Sequence, residues 1–379
     1  MILPGATLGL LGGGQLGRMF TLAAQSMGYR VLVLDPDPEC PAAQVADGHL
    51  HASYDDRQAL ARLAAECAAV TTEFENIPTG SLDFLAASIP VRPASASVAI
   101  AQDRVREKTF LRNNGFDTAQ FAVITGTDEI APALQQIGLP AILKTTRLGY
   151  DGKGQARIEN LDSAREAFIQ MGGATCVLEE MVGLEHEISV VLGRGIDGEV
   201  SCYPVTENQH HDGVLAYSLA PSRLGQDIQR RARAVAMQIA ERLDYCGVLA
   251  VEFFVCADGR LLVNEIAPRP HNSGHWTLSG AETSQFEQQV RALCGLPLGE
   301  TRSTGPVAMI NLLGNLWQGE QAPAWDNLLR HPDAKLYLYG KKEARAGRKM
   351  GHCTCHGTTS ETALNKAFQI MSELGIRAQ

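Results

Sequence analysis

Short apolar runs alternate with amphipathic stretches along the first part of the chain. Thr7 to Leu11 reads as a buried strand, Gly12 to Gly17 as a turn, Leu16 to Ser26 as a helix with one apolar face, and Arg30 to Leu34 as the next strand. A helix near Asp56 to Cys67, a strand at Ala69 to Thr72 and a helix near Gly80 to Ala87 continue the alternation. It ends at the proline-punctuated Ile89-Pro90-Val91-Arg92-Pro93. Such a βαβ opening predicts a parallel sheet covered by helices.

From Asp103 to Asn114 the spacing predicts a helix that stops at Gly115, and beyond it strands outnumber helices. Strands are expected at Ala141 to Thr145, Gly154 to Ile158, Cys176 to Glu180, Glu187 to Leu192 and Val200 to Pro204, with one helix at Ser163 to Met171. A long helix, Asp227 to Leu243, leads into an apolar hairpin, Val248 to Ile266. The remaining segment holds three strand candidates and a closing helix from Glu361. The fold class is therefore α/β followed by α+β.

A length of 379 residues suits two or three domains, and 45% hydrophobic with 20% charged residues is the composition of a globular protein able to bury its cores. The net charge of −9 and the lack of a long basic run argue against a nucleic-acid partner, so any phosphate specificity must be local. The N-terminal apolar stretch has no Lys or Arg before it and runs straight into glycines, which is not the pattern of a secretory signal. No apolar span long enough for a membrane helix follows. The nine cysteines are scattered without CxxC pairs, as expected of reduced thiols in the cytoplasm. His352-Cys353-Thr354-Cys355-His356 alternates like a strand, which would turn its ligands to opposite faces and argues against zinc.

Several segments carry chemistry. Gly12-Gly13-Gly14-Gln15-Leu16-Gly17 fits GxGxxG between a strand and a helix, with Asp35 ending the next strand. Physically it is a turn that aims helix N-terminal N–H groups at an anion; the pyrophosphate of a dinucleotide, another phosphate, or a purely structural turn all fit it. A second glycine cluster, Leu148 to Gln155, contains Lys153 and follows a strand carrying Lys144. Between strands, such a loop can fold over phosphates as a flap or be a plain surface hairpin.

In the apolar hairpin, Asp258-Gly259 predicts a two-residue turn that pairs Ala257 with Arg260. That register sets Glu252 directly opposite Glu265, and two facing carboxylates suit Mg²⁺ carrying substrate phosphates, with Asn264 or Asn272 as a neutral oxygen ligand. A one-residue bulge would put the glutamates on opposite faces. The following loop offers Arg269, His271 and Asn272 as planar donors for a small oxyanion. Near the end, Lys341, Lys342, Arg345, Arg348 and Lys349 crowd a glycine-flanked loop that suits a phosphomonoester as well as it suits solvent.

GGGQLGRM at 12–19, TTEFENI at 71–77, KTTRLGYDGKGQ at 144–155, NEIAPRPHNSGHWT at 264–277 and YGKKEARAGRKMGH at 339–352 together resemble the ATP-grasp superfamily. Within it, the likeness is to the 5-(carboxyamino)imidazole ribonucleotide synthetases of purine biosynthesis, and it spans essentially the whole chain. The resemblance implies an ATP-grasp fold in three parts: a Rossmann-like domain at 1–102, an ATP-grasp domain at 103–298 with a mobile subdomain at about 115–183, and a small β-rich domain at 299–379.

It implies, further, that ATP lies among Arg104, Lys144, Gly149, Tyr150, Asp151, Gly152, Lys153, Gly154, Gln155, Glu179, Glu180, Met181, Val182, Glu187, His210, Asn264 and Glu265, with Mg²⁺ on Glu252 and Glu265. Bicarbonate would sit against Arg269, His271 and Asn272. The ribonucleotide would place its phosphate on Gln15, Leu16, Lys341 and Arg348, with Glu73, Tyr150 and Asp151 near its ribose and amine. Of these, Arg269, His271, Asn272, Tyr150 and Asp151 are the expected catalytic groups, and members act as homodimers. Arg147-Leu148-Gly149 departs from the Gly-Gly-Tyr spelling common in the family, which bears on the loop's mobility.

Three rivals stand beside this reading. The glycine turn alone favours an NAD-dependent dehydrogenase; the terminal cationic loop also suits an ATP-grasp enzyme that uses formate; and the same fold can serve a non-catalytic metabolite binder. Intact Lys144, Glu252 and Glu265 speak against the last.

Overall fold

A computed structural model of the chain describes residues 1–147, 149, 154–317 and 321–376. Tyr150, Asp151, Gly152 and Lys153 lie outside the described residues. The first unit is a parallel sheet of β1 (Thr7–Leu11), β2 (Arg30–Asp35), β3 (Gly48–His51) and β4 (Ala69–Thr72), in the order β3-β2-β1-β4. Alternation divides its side chains between two cores. Leu8, Leu10, Val31 and Val33 face one, while Leu11, Leu32 and Leu34 face the other. Helices α1 (Gln15–Ser26), α2 (Arg57–Glu66), α3 (Thr79–Ala86) and α4 (Ser95–Ala101) belong to this unit. Gly12 sits at φ +99°, a backbone that side chains other than glycine's rarely tolerate, and so lets β1 turn sharply into α1.

After α5 (Arg104–Asn113) comes a small antiparallel sheet of β5 (Phe121–Ile124), β6 (Ala141–Thr145), β7 (Gln155–Ile158) and β8 (Cys176–Glu180), ordered β5-β8-β6-β7. Helices α6 (Ile130–Ile137) and α7 (Leu161–Gln170) close its core around Leu143, Phe168 and Leu178.

The largest sheet holds nine strands among the described residues. They are β9 (Leu184–Arg194), β10 (Val200–Cys202), β11 (Thr206–His211), β12 (Val214–Ala220), β13 (Gly247–Cys256), β14 (Leu261–Ala267), β15 (Val307–Leu313), β16 (Ala334–Leu338) and β17 (Lys349–His356). The order is β14-β13-β9-β11-β12-β15-β17-β16, with β10 beside β9. Tyr217 pairs with Ile310 and Ala220 with Val307, so the C-terminal strands extend the central sheet. Helix α8 (Gln226–Arg242) packs on β9 and β13 through Ala232, Ala236, Ile239 and Ala240. Next come α9 (Thr277–Gly280), α10 (Gln285–Cys294) and α11 (Trp325–Leu329), and α12 (Ser360–Glu373) lies on β15 and β17. Among the described residues no helix is long and apolar enough to cross a membrane.

The hairpin of β13 and β14 departs from expectation twice, and the departures cancel. Its turn has three residues, because the Cys256 N–H donates to the Arg260 carbonyl at 2.9 Å, with Gly259 at φ +84°. Phe253, Phe254 and Val255 therefore pair with Val263, Leu262 and Leu261, one place off the expected register. A bulge between Glu252 and Phe253 then restores Glu252 opposite Glu265. The bulge that would have separated the glutamates is what joins them.

Candidate active site

Glu252 on β13 is 9% exposed. Burial, then the neighbouring charge of Glu265, pushes its carboxyl up to about 7. Arg104, from the start of α5, approaches Glu265 at 3.7 Å. Like charges held together in a partly dry site repel, and carboxylate oxygens are the donors a hard divalent ion takes. His271 Nε2 stands 3.5 Å from Glu252 Oε1. Glu187 and His210, on adjacent strands, form an ion pair whose charge also acts on Glu252.

His271 is neutral, because burial holds its pKa well below the ordinary histidine value. The Ser273 N–H donates to its Nδ1 at 3.3 Å, and Ser273 Oγ lies 2.9 Å from the same nitrogen. An accepting Nδ1 leaves the proton on Nε2, which faces Glu252. Behind it runs a buried chain: Asn208 Nδ2 donates to Ser189 Oγ at 3.0 Å, and Ser189 Oγ to Ser273 Oγ at 2.7 Å. Gln285 on α10 fixes the loop by accepting the His271 N–H at 2.9 Å and donating to the His271 carbonyl at 2.8 Å. Asn272 exchanges two hydrogen bonds with Asn311, at 3.0 and 2.9 Å. Arg269 Nε meets Glu75 Oε2 at 2.5 Å. The three expected oxyanion donors are thus clustered, each held by a partner of its own.

Among the residues expected around ATP, Lys144 of β6 donates to Glu179 of β8 at 2.9 Å, and the fully buried Lys108 approaches the same oxygen at 3.5 Å. The two lysines hold Glu179 down to about 2, against the opposing effect of burial. Its other oxygen, Oε1, is buried with no partner among the described residues, which suits a donor from a bound molecule. Glu180, Met181 and Val182 continue that strand's exit toward β9, with Met181 exposed at 40%. Gly149, Gly154 and Gln155 flank the undescribed part of the flap. Asn264 sits at the hairpin bulge.

A separate cavity of about 260 Å³ brings Gln15, Glu73, Lys341 and Arg348 together with Asp35 and Tyr54. Leu16, the next residue along α1, is buried. Here the glycine turn is already partly filled. Glu73 accepts the Gly14 N–H at 2.5 Å and the Gly17 N–H at 2.7 Å, and Asp35 accepts the Gly13 N–H at 2.6 Å and the Tyr54 hydroxyl at 2.7 Å. A dinucleotide pyrophosphate would have to displace both carboxylates. Among the described residues no acceptor meets the N–H groups of Gln15 and Leu16, and Lys341 and Arg348 line the same cavity as Gln15, donors of the kind a single phosphate takes.

Three residues of the site were not singled out from sequence: Glu75, Glu107 and Lys108. The last two were legible in principle, since they fall on the face of α5 that also carries Leu111, where charge is unusual. Lys349 was noted only as part of a basic loop; its charge acts on Glu252, His210 and His271. In β17, Cys353 and Cys355 share one buried face, their sulfurs 4.0 Å apart, and His352 Nδ1 meets the Tyr339 hydroxyl at 2.9 Å.

Residues 5–102 match the ribonucleotide synthetase preATP-grasp domain, 109–286 the ATP-grasp domain and 307–366 the phosphoribosylaminoimidazole carboxylase C-terminal domain. The N5-carboxyaminoimidazole ribonucleotide synthase of Brucella melitensis is 47% identical over 353 residues, 93% of this chain and 96% of that protein. That of Bacillus subtilis is 45% identical over 355 residues, covering 93% and 92%. The crystal structure of an N5-carboxyaminoimidazole ribonucleotide synthetase with ADP matches with a TM-score of 0.93 at 41% identity, covering 100% of this chain and 99% of that one. The Aspergillus clavatus synthase in complex with ADP and 5-aminoimidazole ribonucleotide gives 0.90 at 30% identity, covering 98% of each.

Proposed function

Because this chain belongs to the N5-carboxyaminoimidazole ribonucleotide synthase family of ATP-grasp ligases, we propose that its two pockets divide that family's reaction between them. The reaction is the ATP-dependent carboxylation of 5-aminoimidazole ribonucleotide with bicarbonate in purine biosynthesis. ATP lies among Lys144, Glu179 to Val182 and Glu187, in a domain whose mobile part spans about 115–183. Glu252 and Glu265 hold Mg²⁺, which when bound neutralises charge on the phosphates. The fit rests on one observation, the facing carboxylates with Glu252 pushed up to about 7.

Bicarbonate rests against Arg269 and the Nε2–H of His271, with Asn272 beside them. One of its oxygens takes the γ-phosphoryl group of ATP, giving carboxyphosphate and ADP. The ribonucleotide phosphate occupies the cradle of Gln15, Leu16, Lys341 and Arg348, with Glu73 at the same cavity; Tyr150 and Asp151, the residues expected at the amine, lie outside the described residues. The amine nitrogen bonds to the carboxyl carbon, either of carboxyphosphate or of the CO₂ it releases. Phosphate leaves and the amine gives up a proton. Little covalent help is needed from side chains, since positioning and charge neutralisation carry most of phosphoryl transfer. We place the enzyme in the cytoplasm as a homodimer.

Phosphate release measured with each substrate omitted in turn tests the reading. Release should require both bicarbonate and the ribonucleotide, and formate should not replace bicarbonate. Turnover with formate, or binding of NADH in the glycine turn, would overturn it.

A further inference from the structure

The bulge that brings Glu265 opposite Glu252 lies in β14, the edge strand of the large sheet, and its free side is not solvent. The Val263 N–H donates to the Asp117 carbonyl at 2.8 Å, and the Val263 carbonyl accepts from Thr118 Oγ1 at 2.8 Å. Three residues on, the Ile266 N–H donates to Glu107 Oε1 at 2.5 Å. In a regular strand, N–H groups that point to the same side are an even number of residues apart. Val263 and Ile266 are an odd number apart and both point to the free side, which only a bulge between them permits.

Both outside partners converge on α5. Glu107 takes the strand after the bulge. Its neighbour Lys108 donates to Thr118 Oγ1 at 2.8 Å and so braces the segment that takes the strand before it. Glu107 is 2% exposed and Lys108 0%, so water does not compete for either bond. Arg104, one helical turn earlier, reaches Glu265 itself.

We propose that Glu107 is a positioning residue for the two-glutamate site: its carboxyl oxygen holds the Ile266 N–H and thereby keeps the bulge in the register that faces Glu265 toward Glu252. Without this acceptor the buried N–H is left unsatisfied. The strand relieves it by sliding toward regular pairing, which turns Glu265 away. The inference rests on the reading that Glu252 and Glu265 hold Mg²⁺.

The test compares Glu107→Ala with Glu107→Gln, whose amide oxygen still accepts. In the metal-free full-length protein, amide exchange at Ile266 should quicken at least about tenfold in the Ala variant and stay slow in the Gln variant. With substrates present, the Mg²⁺ concentration for half-maximal turnover should rise about tenfold in the Ala variant, while KM for the ribonucleotide stays within about twofold. A role confined to general stability would not separate Mg²⁺ from ribonucleotide in this way. If the Ala variant fails to fold, Glu107→Asp, one methylene short of Ile266, carries the same comparison.

Unchanged exchange and unchanged Mg²⁺ dependence in the Ala or Asp variant would overturn the proposal, as would a Gln variant damaged as badly as Ala. Should Glu265→Gln leave turnover intact, the metal reading falls. Should it abolish turnover while Glu107→Ala leaves the Mg²⁺ requirement unmoved, only the clamp falls.

Discussion

The glycine turn before α1 and the hairpin of β13 and β14 both gather carboxylates away from solvent, and they balance them in opposite ways. At the turn, Glu73 and Asp35 accept backbone N–H groups at the positive end of a helix, which offset part of the burial that pushes the Glu73 carboxyl up. At the hairpin, Glu252 and Glu265 face each other across strands whose ladder bonds are already made, and Arg104 at 3.7 Å is a partial answer. The better-known motif has spent most of its donors on the protein itself. The glutamate pair is offset by fewer groups of the chain.

The sharpest way to break this contrast is Glu265→Gln, which removes one of the two charges. Turnover should fall by more than about a hundredfold, with the far-ultraviolet circular dichroism spectrum unchanged. An active variant would mean that the hairpin's charge has no catalytic role.

The turn is tested by Lys341→Ala, since the cradle beside Glu73 keeps few donors of its own. KM for the ribonucleotide should rise about tenfold, and KM for ATP should stay within about twofold. Weakened ATP with unaffected ribonucleotide would exchange the two pockets' roles.

A smaller effect reads the imbalance directly. In metal-free protein Glu252 holds a proton up to about 7, whereas in the unfolded chain it releases one near 4.5. The folded state binds more protons in that window, so stability should fall as pH rises from 4.5 to about 7 and level off above it. Melting curves in chelator should show a loss of a few degrees, reduced in Glu252→Gln. Parallel curves for the two proteins would relocate the imbalance to another group.

How much of this was legible depended on whether a residue's pattern matched its environment. The strands Thr7–Leu11, Ala69–Thr72, Ala141–Thr145 and Cys176–Glu180 were read end to end because their apolar side chains are buried. Helix α10 was missed because it buries Gln285, Gln288 and Gln289, and the pattern that reports a core helix assumes apolar residues on the inner face. The strand β11, Thr206–His211, hides for the same reason: its polar residues serve the chain behind His271. Strand β3 has a single apolar residue, and Pro132 lies inside α6.

Of the expected site residues, Lys144 meets Glu179, Glu252 lies opposite Glu265, and His271 stands beside Glu252. The route to the glutamate pair was less sound than its result, since turn length and bulge offset each other and neither is written in local residue preferences. Glu75 was passed over within a quoted motif because its partner, Arg269, is distant in sequence.

The joining of β15 to β12 also bears on how the edge of the large sheet is covered. Residues Tyr217 to Ala220 would otherwise end the central sheet as an open, apolar border, the kind along which separate chains stack into aggregates. Strands β15, β17 and β16 move that border outward to Ala334–Leu338, where Lys335 breaks the apolar run. The segment that carries the Lys341 to Lys349 loop thus also covers the sheet's border, and shedding it would bare Tyr217 to Ala220 as an unpaired edge.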